Sequence, residues 1–102
     1  LCANLDLGNQ VVVLRRILAL VERGLAVVIT SHDPNHAFLL GSDVVCVGRG
    51  SGVRAGAARE VLTAEALGSL YGIEVGVGKV SGLHGKTGTA CTPFLESERI
   101  IL

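Results

Sequence analysis

The chain contains no methionine and no tryptophan, and only one tyrosine, two phenylalanines and two prolines. With aromatics at 3% and hydrophobic residues at 49%, any core must be built from Val, Leu, Ile and Ala. Net charge is missing too, at +0. That removes the bulk attraction that draws basic proteins to nucleic acid or to acidic membrane surfaces. The three cysteines, Cys2, Cys46 and Cys91, are odd in number and contain no C-x-x-C pair. They suit neither a disulfide scaffold nor a zinc site, and a reducing cytoplasm is the simplest compartment. Cys46 lies inside an apolar run and is expected as a small core residue. No apolar run reaches the ~18 residues of a membrane span, because Arg15 and Arg16 interrupt Val11 to Val21. Leu1 to Gln10 lacks the basic start and apolar segment of a signal peptide. A chain without Met that opens at Leu1 is expected to be a piece of a longer protein or a processed product.

What is present reads as alternating α and β elements. Asp6 to Gly8 marks a helix entry, and Val11, Leu14, Leu18 and Val21 form an amphipathic stripe over Asn9 to Arg23. Gly24 stops the helix. Leu25 to Thr30 is a continuous apolar run, predicting a strand covered on both faces. Asp33 and Pro34 suit an N-cap and a first helical position, and the helix runs to about Leu40 before Gly41. Asp43 to Gly48 and Val53 to Gly56 flank a glycine-rich turn, predicting a β-hairpin. Ala58 to Leu62 and Ala64 to Leu70 predict two short helices split at Thr63. Glu74 to Val80 predicts a half-exposed strand, Ser81 to Thr89 a glycine-rich loop, and Cys91 to Leu95 an edge strand limited by Pro93.

The stretch Thr30-Ser31-His32-Asp33-Pro34 carries the most chemistry. It ends an apolar strand with two hydroxyls, an imidazole and a carboxylate, and the carboxyl edge of an open α/β sheet is where ligands bind. A satisfied histidine at a strand end is the plain alternative for His32.

In this order the motifs resemble the C-terminal part of an ABC-transporter ATP-binding subunit. Asn4-Leu5-Asp6 resembles the D-loop, and Thr30-Ser31-His32-Asp33 the H-loop with its switch histidine. Gly41-Ser42-Asp43-Val44-Val45 resembles the following "A-D-R-V" segment, Val47 to Gly56 the hairpin after it, and Glu60-Val61-Leu62-Thr63 the "E-V-L-T" helix. The resemblance covers about residues 1 to 80, leaving residues 81 to 102 as a glycine-rich loop and edge strand. Gly8-Asn9-Gln10, Pro34-Asn35-His36 and Leu70-Tyr71-Gly72-Ile73 are similar to importers of iron-siderophores, haem, cobalamin and related metal chelates.

The resemblance implies an α/β fold: part of a P-loop ABC ATPase domain, with a parallel-sheet core plus a small hairpin and helices. It implies ATP and Mg2+ as cofactors of the longer parent. It implies a second ATPase subunit in a head-to-tail dimer and transmembrane permease subunits as partners, with the parent peripheral on the cytoplasmic face of the membrane. Nucleic acid is not an implied partner. His32 would contact the γ-phosphate and the attacking water as the catalytic residue. Asp6 and Asn4 would serve the nucleotide site, with Asp6 linking the two sites across the dimer; as a plain alternative, Asp6 caps the following helix. The sequence also departs from the family. Leu1 and Cys2 stand where Pro-Thr is usual, and Walker A, the Q-loop, the signature motif and the Walker B acids are not among these residues. The alternatives are a non-catalytic interaction module or truncated remnant that lacks nucleotide binding, and an ABC-type ATPase outside transport.

Three other features carry less. Gly85-Lys86-Thr87 imitates the end of a Walker A motif, but Val80 replaces its first glycine and Pro93 argues against a following helix. His32 and His36 are four apart, as in zinc proteases, but Pro34 puts His32 outside the helix. Arg15, Arg16 and Arg23 read as a solvated helix face, with no aromatic interleaving for nucleic acid.

Overall fold

A computed structural model of the chain describes residues 5–48 and 52–95. The first helix, α1, spans Leu7–Glu22. It begins where the Asp6 carboxylate accepts the Asn9 backbone N–H at 2.8 Å, satisfying one of the free donors of the first turn. It ends at Gly24, whose φ of 89° lets its N–H reach the Val21 carbonyl while the Leu25 N–H reaches that of Leu20. Cβ-bearing residues resist that left-handed stop.

The segment 25–30 departs from the expected strand. It has no strand assignment, and Val28 is 95% exposed. A strand is defined by its ladder, and neither sheet of the described residues includes this segment. The expected parallel core is therefore not formed by the described residues; both sheets are two-stranded and antiparallel. A parallel pair needs a second strand on the far side of a helical crossover, and among the described residues segment 25–30 pairs with none.

Helix α2, Pro34–Leu40, is capped by Asp33, whose carboxylate accepts the Asn35 N–H at 2.9 Å. It closes at Gly41, with φ 62°. Strands β1 (Asp43–Gly48) and β2 (Gly52–Ala57) form the expected hairpin, with Asp43 opposite Ala57; residues 49–51 of its turn lie outside the described residues. Helices α3 (Ala58–Val61) and α4 (Ala64–Tyr71) divide at Thr63, whose hydroxyl accepts the Ala66 N–H at 3.1 Å.

The last elements correct a second expectation. The glycine-rich stretch 81–89 is loop only over 82–86: β3 (Val75–Ser81) pairs with β4 (Thr87–Pro93), and Ser81 faces Thr87 across a short turn. Gly82 N–H donates to the Lys86 carbonyl at 2.7 Å within that turn. Glycine weakens a strand but leaves its backbone donors and acceptors intact, and Thr87 and Thr89 supply β-branched positions. Pro93 sits at the strand end, where a missing N–H matters least.

The core is small and aliphatic. Ala58, Val61, Leu62 and Leu67 are buried together, with Ala37, Phe38, Val44, Cys46, Val75, Val77 and Cys91 packed on them. Cys46 thus takes the core role expected of it. Isolated two-stranded hairpins are marginal in water; here each leans on helices, β1–β2 on α3 and β3–β4 on α2 and α4. The stripe of α1 is only partly covered. Leu14 is buried, whereas Val11, Leu18 and Val21 remain exposed.

Candidate functional site

His32 sits at the crown of the turn between the 25–30 segment and α2. Its side chain is exposed, while its backbone is held from both sides. The Asp33 N–H donates to the Ser31 hydroxyl at 3.1 Å, bridging over His32. From the far end of α4 the Tyr71 hydroxyl donates to the His32 carbonyl at 3.1 Å. Burial pushes the Tyr71 phenol above its ordinary 10.0, and Cys91, Cys46 and Asp33 push it the same way, so at neutral pH it is a donor. An exposed side chain on a backbone tied at His32 and Asp33 can present an imidazole to a ligand at a defined place.

The buried histidine is the other one. His36, on α2, is 4% exposed. Its Nδ1 lies 2.8 Å from the Ser31 hydroxyl and its Nε2 lies 3.3 Å from Gln10 Oε1 on α1. Asp33 Oδ2 is 3.6 Å from the same Nε2. Gln10 Nε2 in turn donates to the Leu5 carbonyl at 3.0 Å. Asp6, expected as the D-loop acid, is exposed and caps α1 through Asn9. The structure therefore links Asp6 and His32 through their neighbours, by way of Gln10, His36 and Ser31. Asn4, the third expected site residue, lies outside the described residues, as do Leu1 and Cys2.

Asn35 supplies the remaining anchor. Its side-chain amide accepts the Cys91 N–H at 2.8 Å and donates to the Cys91 carbonyl at 3.2 Å. It thereby pairs with the outer edge of β4 as a neighbouring strand would. Gln10, Asn35, His36 and Tyr71 stood in the sequence only within the importer-like motifs, without a site role, and His36 also as a discounted zinc ligand. Position in the first turn of a capped helix, beside a polar loop, was the available signal for Asn35 and His36. The motif Leu70-Tyr71-Gly72-Ile73 marked Tyr71, but nothing local tied it to His32, 39 residues away.

A cleft of about 730 Å³ opens beside the turn, between α1, the 25–30 segment, β1 and α4. Its lining is mainly aliphatic, includes His32, Asp33, Asp43 and Tyr71, and among the described residues contains no Lys or Arg. A triphosphate needs cations or several converging N–H donors, and here it would meet two carboxylates. The described residues therefore do not fit ATP by themselves. Among them no group of three or more His, Cys, Asp or Glu could hold a metal ion, and no helix is long and apolar enough to cross a membrane. Gly85 and Lys86 lie in the β3–β4 turn and Thr87 opens β4, so a strand rather than a helix follows them.

No family model matches the chain. Individual proteins do. An uncharacterized ABC transporter ATP-binding protein of Haemophilus influenzae is 35% identical over 69 residues, 68% of this chain and 26% of that protein. The vitamin B12 import ATP-binding protein BtuD of Vibrio cholerae is 36% identical over 73 residues, 72% of this chain and 29% of that protein. The chain thus spans less than a third of the length of these relatives. A solved inward-facing metal-chelate type ABC transporter matches 92% of this chain with a TM-score of 0.83, over 37% of its own chain. At 24% identity that likeness establishes the fold.

Proposed function

We propose that this chain, a homologue of ABC transporter ATP-binding proteins with part of their ATPase-domain fold, is the section of an ATP-hydrolysing subunit that carries its D-loop and switch histidine. The subunit would power import of a metal chelate such as an iron-siderophore, haem or cobalamin. Vitamin B12 import is what the Vibrio relatives are named for. The observation that supports this most directly is His32, exposed on a backbone pinned by Ser31, Asp33 and Tyr71.

Residues 1–80 are, on this proposal, the C-terminal portion of the ATPase domain. The fold likeness takes in 92% of the chain, which supports counting the β3–β4 hairpin with that portion. The phosphate cradle and Mg2+ ligands would lie in other parts of the subunit, a reading that the lack of Lys or Arg among the described residues lining the cleft supports. This chain's own contribution is positional. A neutral imidazole donates one hydrogen bond and accepts another, and phosphoryl transfer depends mainly on positioning and electrostatics. Asp6 both caps α1 and stands at the link between the two sites of a head-to-tail dimer. The partners are a second ATPase subunit and the membrane-spanning permease, with the subunit peripheral on the cytoplasmic face of the membrane.

ATP turnover by the complete subunit with His32→Ala tests the assignment. A fall of about 100-fold is expected from losing a positioned group, and undiminished turnover removes His32 from the role. One observation favours a non-catalytic interaction module instead: the aliphatic cleft without a basic residue. If the complete subunit binds no nucleotide, the interaction module replaces the ATPase.

A further inference from the structure

Four hydrogen bonds join the two ends of the proposed site. The Asp33 N–H donates to Ser31 Oγ, and the Ser31 hydroxyl meets His36 Nδ1. His36 Nε2 meets Gln10 Oε1, and Gln10 Nε2 donates to the Leu5 carbonyl. The last contact orients the rest. A carbonyl can only accept, so the Gln10 amide nitrogen faces Leu5 and its oxygen faces His36. His36 Nε2 then has acceptors on two sides, Gln10 Oε1 at 3.3 Å and Asp33 Oδ2 at 3.6 Å. The ring carries a proton on Nε2, and in the tautomer with that single proton Nδ1 accepts from Ser31. The Ser31 hydroxyl has one proton, and its contact to Nδ1 at 2.8 Å is shorter than its alternative to the Asp33 carbonyl at 3.4 Å. Every donor in the chain therefore points the same way, from Asp33 toward Leu5. Bonds so aligned polarise and reinforce one another, and this one passes through a ring that is 4% exposed.

We propose that His36, as the neutral Nε2–H tautomer, is a positioning residue that holds the His32 turn in register with the Asp6 end of α1. It rests on the ATPase assignment above and goes beyond it, since His36 touches neither of those two side chains. Ser31 and Asp33 flank His32, and Leu5 precedes Asp6. A change at one end is transmitted to the other through one buried ring rather than through the backbone that separates them.

The test uses the complete ATP-hydrolysing subunit. If the wild-type subunit does not hydrolyse ATP, the ATPase assignment fails, and the positioning role fails with it. Given wild-type turnover, His36→Ala is expected to lower kcat by about 10- to 100-fold, the effect of a small misplacement of a reacting group, with KM for ATP nearly unchanged. His36→Gln, which keeps a donor toward Gln10, should recover part of kcat. Gln10→Met keeps the size of the side chain and removes its acceptor. It should lower kcat in the same direction, and combined with His36→Ala it should add nothing further. A purely structural role would lower the amount of folded protein, leave the kcat of the folded fraction intact and give Gln no advantage. Nitrogen NMR of histidine-labelled subunit should show His36 protonated on Nε2. Wild-type kcat in both His36→Ala and Gln10→Met, or an Nδ1–H ring, overturns the proposal. Should His36→Ala fail to fold, Gln10→Met and the tautomer still decide.

Discussion

Replacing Asn35 by Ala should detach β4 from α2 and loosen the base of the His32 turn. Asn35 makes two hydrogen bonds to one residue, at 2.8 Å to the Cys91 N–H and 3.2 Å to the Cys91 carbonyl. Cys91 is half-buried, so truncation leaves its N–H without a partner where water is scarce. Two neutral hydrogen bonds at about 1 kcal/mol each, plus the orphaned donor, give a loss of about 2–3 kcal/mol. If local opening governs exchange, the Cys91 amide should exchange about 30-fold faster or more. Hydrogen exchange on the complete subunit, read on the peptide spanning Cys91, measures this directly. Asn35→Asp is the informative companion. It keeps an acceptor for the Cys91 N–H but sets an oxygen against the Cys91 carbonyl, so stability should fall while Cys91 exchange stays closer to wild type than in Asn35→Ala. Unchanged Cys91 exchange in Asn35→Ala would refute the claim that this side chain acts as a surrogate strand edge.

Two further outcomes follow from burial. Leu67 is 1% exposed at the centre of the core, so Leu67→Ala should cost about 2–5 kcal/mol in chemical denaturation, whereas Leu83→Ala, at 94% exposed in the β3–β4 turn, should stay within about 0.5 kcal/mol. Burial raises Tyr71 above 10.0 and Cys91 above 9.0. Both groups bind their protons more tightly when folded, so their contribution is complete below about pH 9 and is lost as pH rises through their raised folded values. Denaturation midpoints should therefore decline on the alkaline side, less steeply in Tyr71→Phe; a midpoint that rises there would contradict the sign.

The parts legible in the sequence were those fixed by local chemistry. Asp6, Asp33 and Thr63 cap the helices they were expected to cap, because a short side-chain acceptor next to free N–H groups needs no distant partner. The β1–β2 hairpin followed from apolar runs around a glycine turn. Segment 25–30 failed for the opposite reason: its apolar residues describe the environment a strand wants, but no strand of the described residues pairs with it. The β3–β4 hairpin was hidden because glycine marks loops in sequence yet pairs through its backbone like any other residue.

The sequence by itself determined the caps of α1, α2 and α4, the β1–β2 hairpin and the family likeness, and it pointed to His32 and Asp6 as candidates for chemistry. Only the tertiary structure decided how those two are connected. Gln10 and His36, Asn35 and Cys91, and Tyr71 and His32 meet across separations of 26, 56 and 39 residues. Contacts of that range depend on how α1, α2, α4 and β4 pack, and no local periodicity encodes the packing of one element on another.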